Sequence, residues 1–113
     1  MKVAIPLAQG RLSLHFGHCD QFAIFETDEE EKEILSRQDA SPPAHAPGVL
    51  PQWLHEQGIE VIIAGGIGMR AQRMFEQREI EVVAGASSYA EPEDVVSDYL
   101  QGRLETGKNI CDH

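Results

Sequence analysis

The sequence predicts an α/β fold, a mixed five-stranded sheet flanked by helices. One sign is the pair "QFAIFETD" and "KEILSRQD", aromatic and β-branched runs on either side of the acidic tip "DEEE", which read as an antiparallel hairpin after an opening apolar run. Another is the second half, where the short apolar runs "IEVIIAGG" and "IEVVAGA" are each followed by a helix-length stretch. Strand-helix-strand-helix order implies parallel strands joined by right-handed crossovers.

The elements follow in chain order. "KVAIPL" (Lys2 to Leu7) is a buried strand, expected to fray at Pro6. With the hairpin it makes a three-strand meander. "ASPPAHAPG" (Ala40 to Gly48) carries three prolines, which forbid regular structure and favour an extended loop. In "VLPQWLHEQG" the residues Val49, Leu50, Trp53 and Leu54 share one helical face, and Gly58 is a natural stop. "GMRAQRMFEQ" predicts a helix with Ala71, Met74 and Phe75 inward. A last helix starts near Pro92, with Glu93 and Asp94 suited to its positive end, and runs to about Gly102.

Composition bounds the function. Residues 1–113 suffice for a single domain whose core needs no disulfide, and residues 103–113 are expected to form a flexible tail. With 9 basic and 19 acidic side chains, net −10 at pH 7, the chain repels phosphate backbones, so nucleic acid is not expected as a partner. No run approaches the roughly 20 apolar residues of a membrane span, and the opening lacks the apolar segment of a signal peptide. A cytoplasmic protein with no membrane partner is the expectation, and in that reducing compartment Cys19 and Cys111 are free thiols or ligands. The acid concentrates in "ETDEEEKE" and "EPED", while Arg11, Arg70 and Arg73 lie near the glycine-rich segments. A locally neutral or positive site can therefore survive.

In open sheets of this kind ligands sit beyond the carboxyl ends of the parallel strands. The loop after Leu7, "GGIG" after Ala64 and "GASS" after Ala84 are expected to gather there. In "AGGIGMRAQ" the residues Gly65, Gly66 and Gly68 stand between a strand and a helix, so backbone N–H groups and the helix dipole can face an anion, with Arg70 and Arg73 adding positive charge. The same glycines equally serve a tight turn with no ligand. The segment is neither a dinucleotide fingerprint nor a Walker loop.

"LSLHFGHCDQF" brings His15, His18 and Cys19 around Gly17. Imidazole and thiolate are the usual ligands of zinc, copper, iron and clusters, and this spacing lets two of them converge on one ion. A loop histidine that only hydrogen-bonds and a buried Cys19 under the next strand are the plainer alternatives. The tail "NICDH" offers Cys111 and His113 in the same chemistry. Catalysis finds less support. The strand order suits a ribonuclease H-like sheet, but that chemistry needs carboxylates on the first strand, and "KVAIPL" has none. Cys19 as a nucleophile would need an oxyanion hole and an orienting group that the sequence does not supply.

With these pieces assembled, the opening "MKVAIPL", then "HFGHCDQFAIF", "VIIAGGIGMRAQRMF" and "IEVVAGA", at their spacing, resemble the dinitrogenase iron-molybdenum cofactor biosynthesis family: small proteins related to NifX, the C-terminal part of NifB, and the orange protein. The resemblance covers Met1 to about Leu100. It implies a ribonuclease H-like fold without nuclease residues and a non-enzymatic role in binding, carrying or protecting a metal-sulfur cluster, iron-sulfur or molybdenum-containing, with cluster donor and acceptor proteins as partners. Carried over residue by residue, the family's His-Phe-Gly falls on His15, Phe16 and Gly17, and its glycine turn on Gly65, Gly66 and Gly68. His15 thereby becomes the leading ligand; His18 and Cys19 are candidates on their own chemistry and not on the family pattern, and Arg70 stands beside the turn. A protein-interaction or regulatory module of the same fold without a cluster, and a thiol-dependent enzyme acting on a small anion, are the alternatives.

Overall fold

The computed structural model describes residues 1–13, 16, 19–43, 48–86 and 90–107. Its elements are β1 (Lys2–Ala8), β2 (Arg11–Leu12), β3 (Gln21–Asp28), β4 (Glu33–Ala40), α1 (Val49–Glu56), β5 (Val61–Ile63), α2 (Met69–Gln77), β6 (Glu81–Val83) and α3 (Pro92–Leu100). Five strands run in the order β4-β3-β1-β5-β6, and β2 pairs with β1 as a sixth. β3 is antiparallel to β1 and β4, whereas β5 is parallel to β1 and β6. This is the mixed sheet that the meander and the parallel half predict. The extra strand, β2, is only two residues long and has no alternation to reveal it.

Alternation along the strands builds a core on each face. Val3, Ile5 and Leu7 of β1, Phe25 of β3 and Ile63 of β5 pack with Val95 and Val96 of α3. Ala4, Phe22 and Ile62 point the other way, onto Leu50 and Leu54 of α1 and Phe75 of α2. Side chains as fully buried as Phe22, Phe25 and Phe75 each contribute roughly 1.5–3 kcal/mol relative to exposure.

Pro6 does not end β1. The strand continues to Ala8, because the Pro6 carbonyl accepts from the Ser13 N–H at 2.8 Å, so its missing N–H faces that side. β5 pairs only with Val3 and Ala4, leaving no ladder bond there for Pro6 to break. On the opposite side Leu7 O accepts from Asp20 N at 2.8 Å.

All three helices close alike. After α1, Gly58 (φ 82°) donates its N–H to His55 O at 3.0 Å and Ile59 donates to Leu54 O at 3.2 Å. After α3, Gly102 (φ 73°) donates to Tyr99 O at 3.1 Å and Arg103 to Asp98 O at 2.7 Å. After α2 the left-handed residue is Glu79 (φ 59°), donating to Glu76 O at 3.0 Å while Ile80 donates to Phe75 O at 3.0 Å. Each pair satisfies two carbonyls that the helix end leaves open, and the buried residues Ile59 and Ile80 fold back onto the apolar face.

α3 is tied to the sheet by polar contacts. Arg37 of β4 lies over the Phe25 ring at 5.7 Å and pairs with Asp39 at 2.8 Å and with Glu93 at 2.5 Å. The Tyr99 hydroxyl donates to Glu81 of β6 at 2.5 Å. Burial, followed by this carboxylate, pushes the Tyr99 hydroxyl pKa up. Between Glu26 and Thr27 the β3–β4 register slips so that Leu35 has no partner, a β-bulge. Among the described residues no helix is long and apolar enough to cross a membrane.

Candidate functional site

The carboxyl ends of the parallel strands are stitched together by backbone bonds. Ala64 N–H donates to Val83 O at 2.9 Å and Gly85 N–H to Gly65 O at 2.8 Å, carrying the β5–β6 pairing past both strands. From the other side the Phe16 N–H donates to Gly66 O at 2.8 Å. Phe16, the glycine turn and Gly85 and Ala86 at the start of "GASS" therefore meet at one edge, as expected for a sheet of this topology.

Phe16 contributes apolar packing at this edge. Its ring packs edge-on against Phe75 (5.5 Å, 83°) and Phe22 (5.8 Å, 60°), and Phe22 in turn meets Trp53 at 5.7 Å. Edge-to-face pairs are worth about 0.5–1.5 kcal/mol beyond area. Cys19 lies in the same apolar cluster and is 6 % exposed. Burial, the dominant influence, pushes its thiol up to about 11 against an opposing backbone hydrogen bond. Asp20, next in sequence, turns outward, and its carboxylate accepts from the Gln9 N–H at 3.3 Å.

Gly65 and Gly66 are buried, and Gly68 is the residue before α2. Gly68 has φ −69° and, among the described residues, nothing within 4 Å of where a Cβ would sit, so neither its backbone nor its described neighbours demand glycine there. Among the described residues no side chain caps α2, so its first N–H groups are available to solvent or a ligand there. Arg70 and Arg73 are exposed, whereas Arg11 is engaged by Glu91 at 2.7 Å. The positive charge foreseen near the glycines thus rests on α2.

A cavity of about 280 Å³ opens here, lined mainly by apolar side chains of Phe16, Leu50, Pro51, Ala71 and Met74 together with Gly48 and Arg70. Sequence reasoning missed the wall from α1; its one signal was Gly48, left-handed at φ 80° just before the helix. A larger hollow of about 500 Å³ on the outer side of α1 includes Trp53 and Arg78, whose guanidinium is held by Gln52 Oε1 at 3.2 Å.

Among the described residues no group of three or more His, Cys, Asp or Glu is placed to hold a metal ion. Of the candidate ligands only Cys19 is described; His15, Gly17 and His18 lie outside the described residues, as do His45, Cys111 and His113. Of the tail expected to be flexible, residues 103–107 are described and return to the sheet, with Leu104 against its core and the Gly107 N–H donating to Gly85 O at 2.7 Å.

Fold and edge together define a small α/β domain with a mixed sheet, no carboxylate on its first strand, and a glycine-turn mouth with apolar walls. The chain belongs to the dinitrogenase iron-molybdenum cofactor family, whose model matches residues 1–102. It is 33 % identical over 109 residues to the uncharacterized protein MJ0580 of Methanocaldococcus jannaschii, covering 93 % of this chain and 90 % of that protein. In structure it is similar to PH0822 (TM-score 0.86, 27 % identity, 96 % of each chain covered). It shares the fold of the apo orange protein from Desulfovibrio gigas (TM-score 0.67, 16 % identity, 96 % of this chain and 93 % of that one).

Proposed function

We propose that the protein is a non-enzymatic carrier of a metal-sulfur cluster, iron-sulfur or molybdenum-containing, taken up at the mouth between the His-Phe-Gly segment and the glycine turn. The supporting observation is the Phe16–Gly66 hydrogen bond, which joins Phe16 to the glycine turn across the sheet edge of a chain that belongs to this family. Clusters of this kind are usually anionic, so the uncapped start of α2, the bare backbone of Gly65, Gly66 and Gly68, and the Arg70 guanidinium complement the charge. His15 and His18, flanking Phe16 and Gly17, supply imidazole ligands. Cys19 joins them only as a thiolate, a state its burial opposes. The same burial makes Cys19 a poor nucleophile, which speaks against a thiol-dependent enzyme. The partners in this reading are proteins that donate and accept the cluster, in the cytoplasm.

A second reading, an interaction or regulatory module without a cluster, draws support from the apolar walls of the cavity. Anaerobic reconstitution with iron, sulfide and molybdate, followed by absorption spectra and metal analysis, separates the two. The carrier is expected to load, with His15→Ala losing most of the bound metal and the exposed His55→Ala losing none. Wild-type protein that loads nothing overturns the carrier; equal loading in His15→Ala removes His15 from the site.

A further inference from the structure

The arginines fall into two groups. Away from α2 each one meets a carboxylate: Arg11 with Glu91 at 2.7 Å, Arg37 with Glu93 at 2.5 Å and Arg103 with Asp98 at 3.4 Å. On α2 and at its C-cap, Arg70, Arg73 and Arg78 form no ion pair among the described residues, in a chain of net charge −10. Arg78 donates instead to neutral acceptors, Gln52 Oε1 and Met74 O, each at 3.2 Å, so its charge is positioned but not neutralised. Arg70 and Arg73 are exposed neighbours on the helix surface, and Met69 beside them is 40 % exposed. The cavity between α1 and α2 lies alongside, with Leu50 and Pro51 on one helix and Ala71 and Met74 on the other. At about 280 Å³ it falls below the roughly 300–1,000 Å³ of small-molecule pockets and suits a side chain or two. From Arg70 to Arg78 the helix rises about 12 Å, longer than one small anion and matched to a run of carboxylates along a chain.

We propose that this face of α2 docks an acidic segment of a partner protein, whose carboxylates meet Arg70, Arg73 and Arg78 while an apolar side chain enters the cavity between α1 and α2. Charge complementarity selects the occupant, since these are the arginines that the protein's own carboxylates leave unpaired among the described residues. Met69 and Met74 add apolar contact that adapts to the incoming side chain. A nucleic acid would match the charge but bring no apolar anchor for the cavity. The proposal goes beyond the carrier reading and does not require it; within that reading, the docked segment belongs to the protein that donates or accepts the cluster.

The test is selection of a phage-displayed random peptide library on the immobilised full-length protein, followed by fluorescence anisotropy with the enriched peptide. Enriched sequences are expected to carry Asp and Glu around a large apolar residue, and their binding to weaken as salt rises. The double variant Arg70→Glu, Arg73→Glu is expected to lose about tenfold or more in affinity, and to regain it for the same peptide with its acids replaced by Lys. Ala71→Phe, which fills the cavity, is expected to lose about tenfold as well. Should that variant fail to fold by circular dichroism, the peptide with Ser in place of its apolar residue takes its place and is expected to bind wild type as weakly. No enrichment, enriched sequences without an acidic bias, or affinity unchanged by the charge reversal overturns the proposal. A wild-type dimer in sedimentation that the charge reversal dissociates puts a second copy of this chain on the face and overturns the partner segment. Iron-sulfide loading is read separately: wild type that does not load overturns the carrier, while the peptide result alone decides the docking face.

Discussion

The Arg37 guanidinium of β4 meets the Glu93 carboxylate of α3 at 2.5 Å, across the face of the sheet opposite α1 and α2, and so links the hairpin to the last helix. The hydrogen bond from Arg37, the largest influence, holds the Glu93 carboxyl below its ordinary value of 4.5.

Glu93→Gln is expected to lower stability at pH 7 by less than about 1 kcal/mol, since the Glu93 side chain is 48 % exposed and solvent screens the pair. A depressed folded pKa gives stability that is present above the unfolded value and lost as pH falls through the folded one. The gap between wild type and variant in urea midpoint should therefore narrow as pH drops below 4.5. A gap that widens in acid would contradict the assignment.

Glu79→Gly is expected to stabilise the protein. Glu79 holds the left-handed position that closes α2, where an L side chain costs roughly 1–2 kcal/mol, partly offset by the greater chain freedom of glycine when unfolded. A net gain of about 0.5–1 kcal/mol should appear as a higher urea midpoint with an unchanged slope. A lower midpoint would show that the Glu79 side chain makes a compensating contact.

Cys19 should react slowly with a thiol reagent in the apo protein, compared in a Cys111→Ser background. With the thiol pushed up to about 11, only about one molecule in a thousand is thiolate at pH 8, and the sulfur is buried as well. Labelling should accelerate with rising pH toward that value. Fast labelling at neutral pH would place the thiol at an open edge instead.

What the sequence revealed depended on whether the signal was local. β3 is legible to the residue because Gln21–Asp28 combines strand-forming side chains with a clear boundary at the acidic tip. Gly58 announces the end of α1, but Glu79 does the same work at the end of α2 and carries no such sign. At the site, "HFG" and "GGIG" were legible as motifs, whereas the contact between them was not, because Phe16 finds Gly66 through the tertiary packing of its ring on Phe22 and Phe75. The Gly85–Gly107 contact was illegible for the same reason: what makes glycine necessary at Gly85 is a carbonyl brought there by a later segment.

The bulge at Leu35 bears on how this chain behaves among its own copies. β4 is a border of the sheet, and an unbroken eight-residue border is a template on which another strand can extend the ladder, the first step toward aggregation. Leu35 breaks the regular spacing of β4 near its start, and the Arg37–Asp39 pair sets charge along the rest. An incoming strand would find a broken register at Leu35 and charge beyond it, so β4 is a poor template for continuing the ladder.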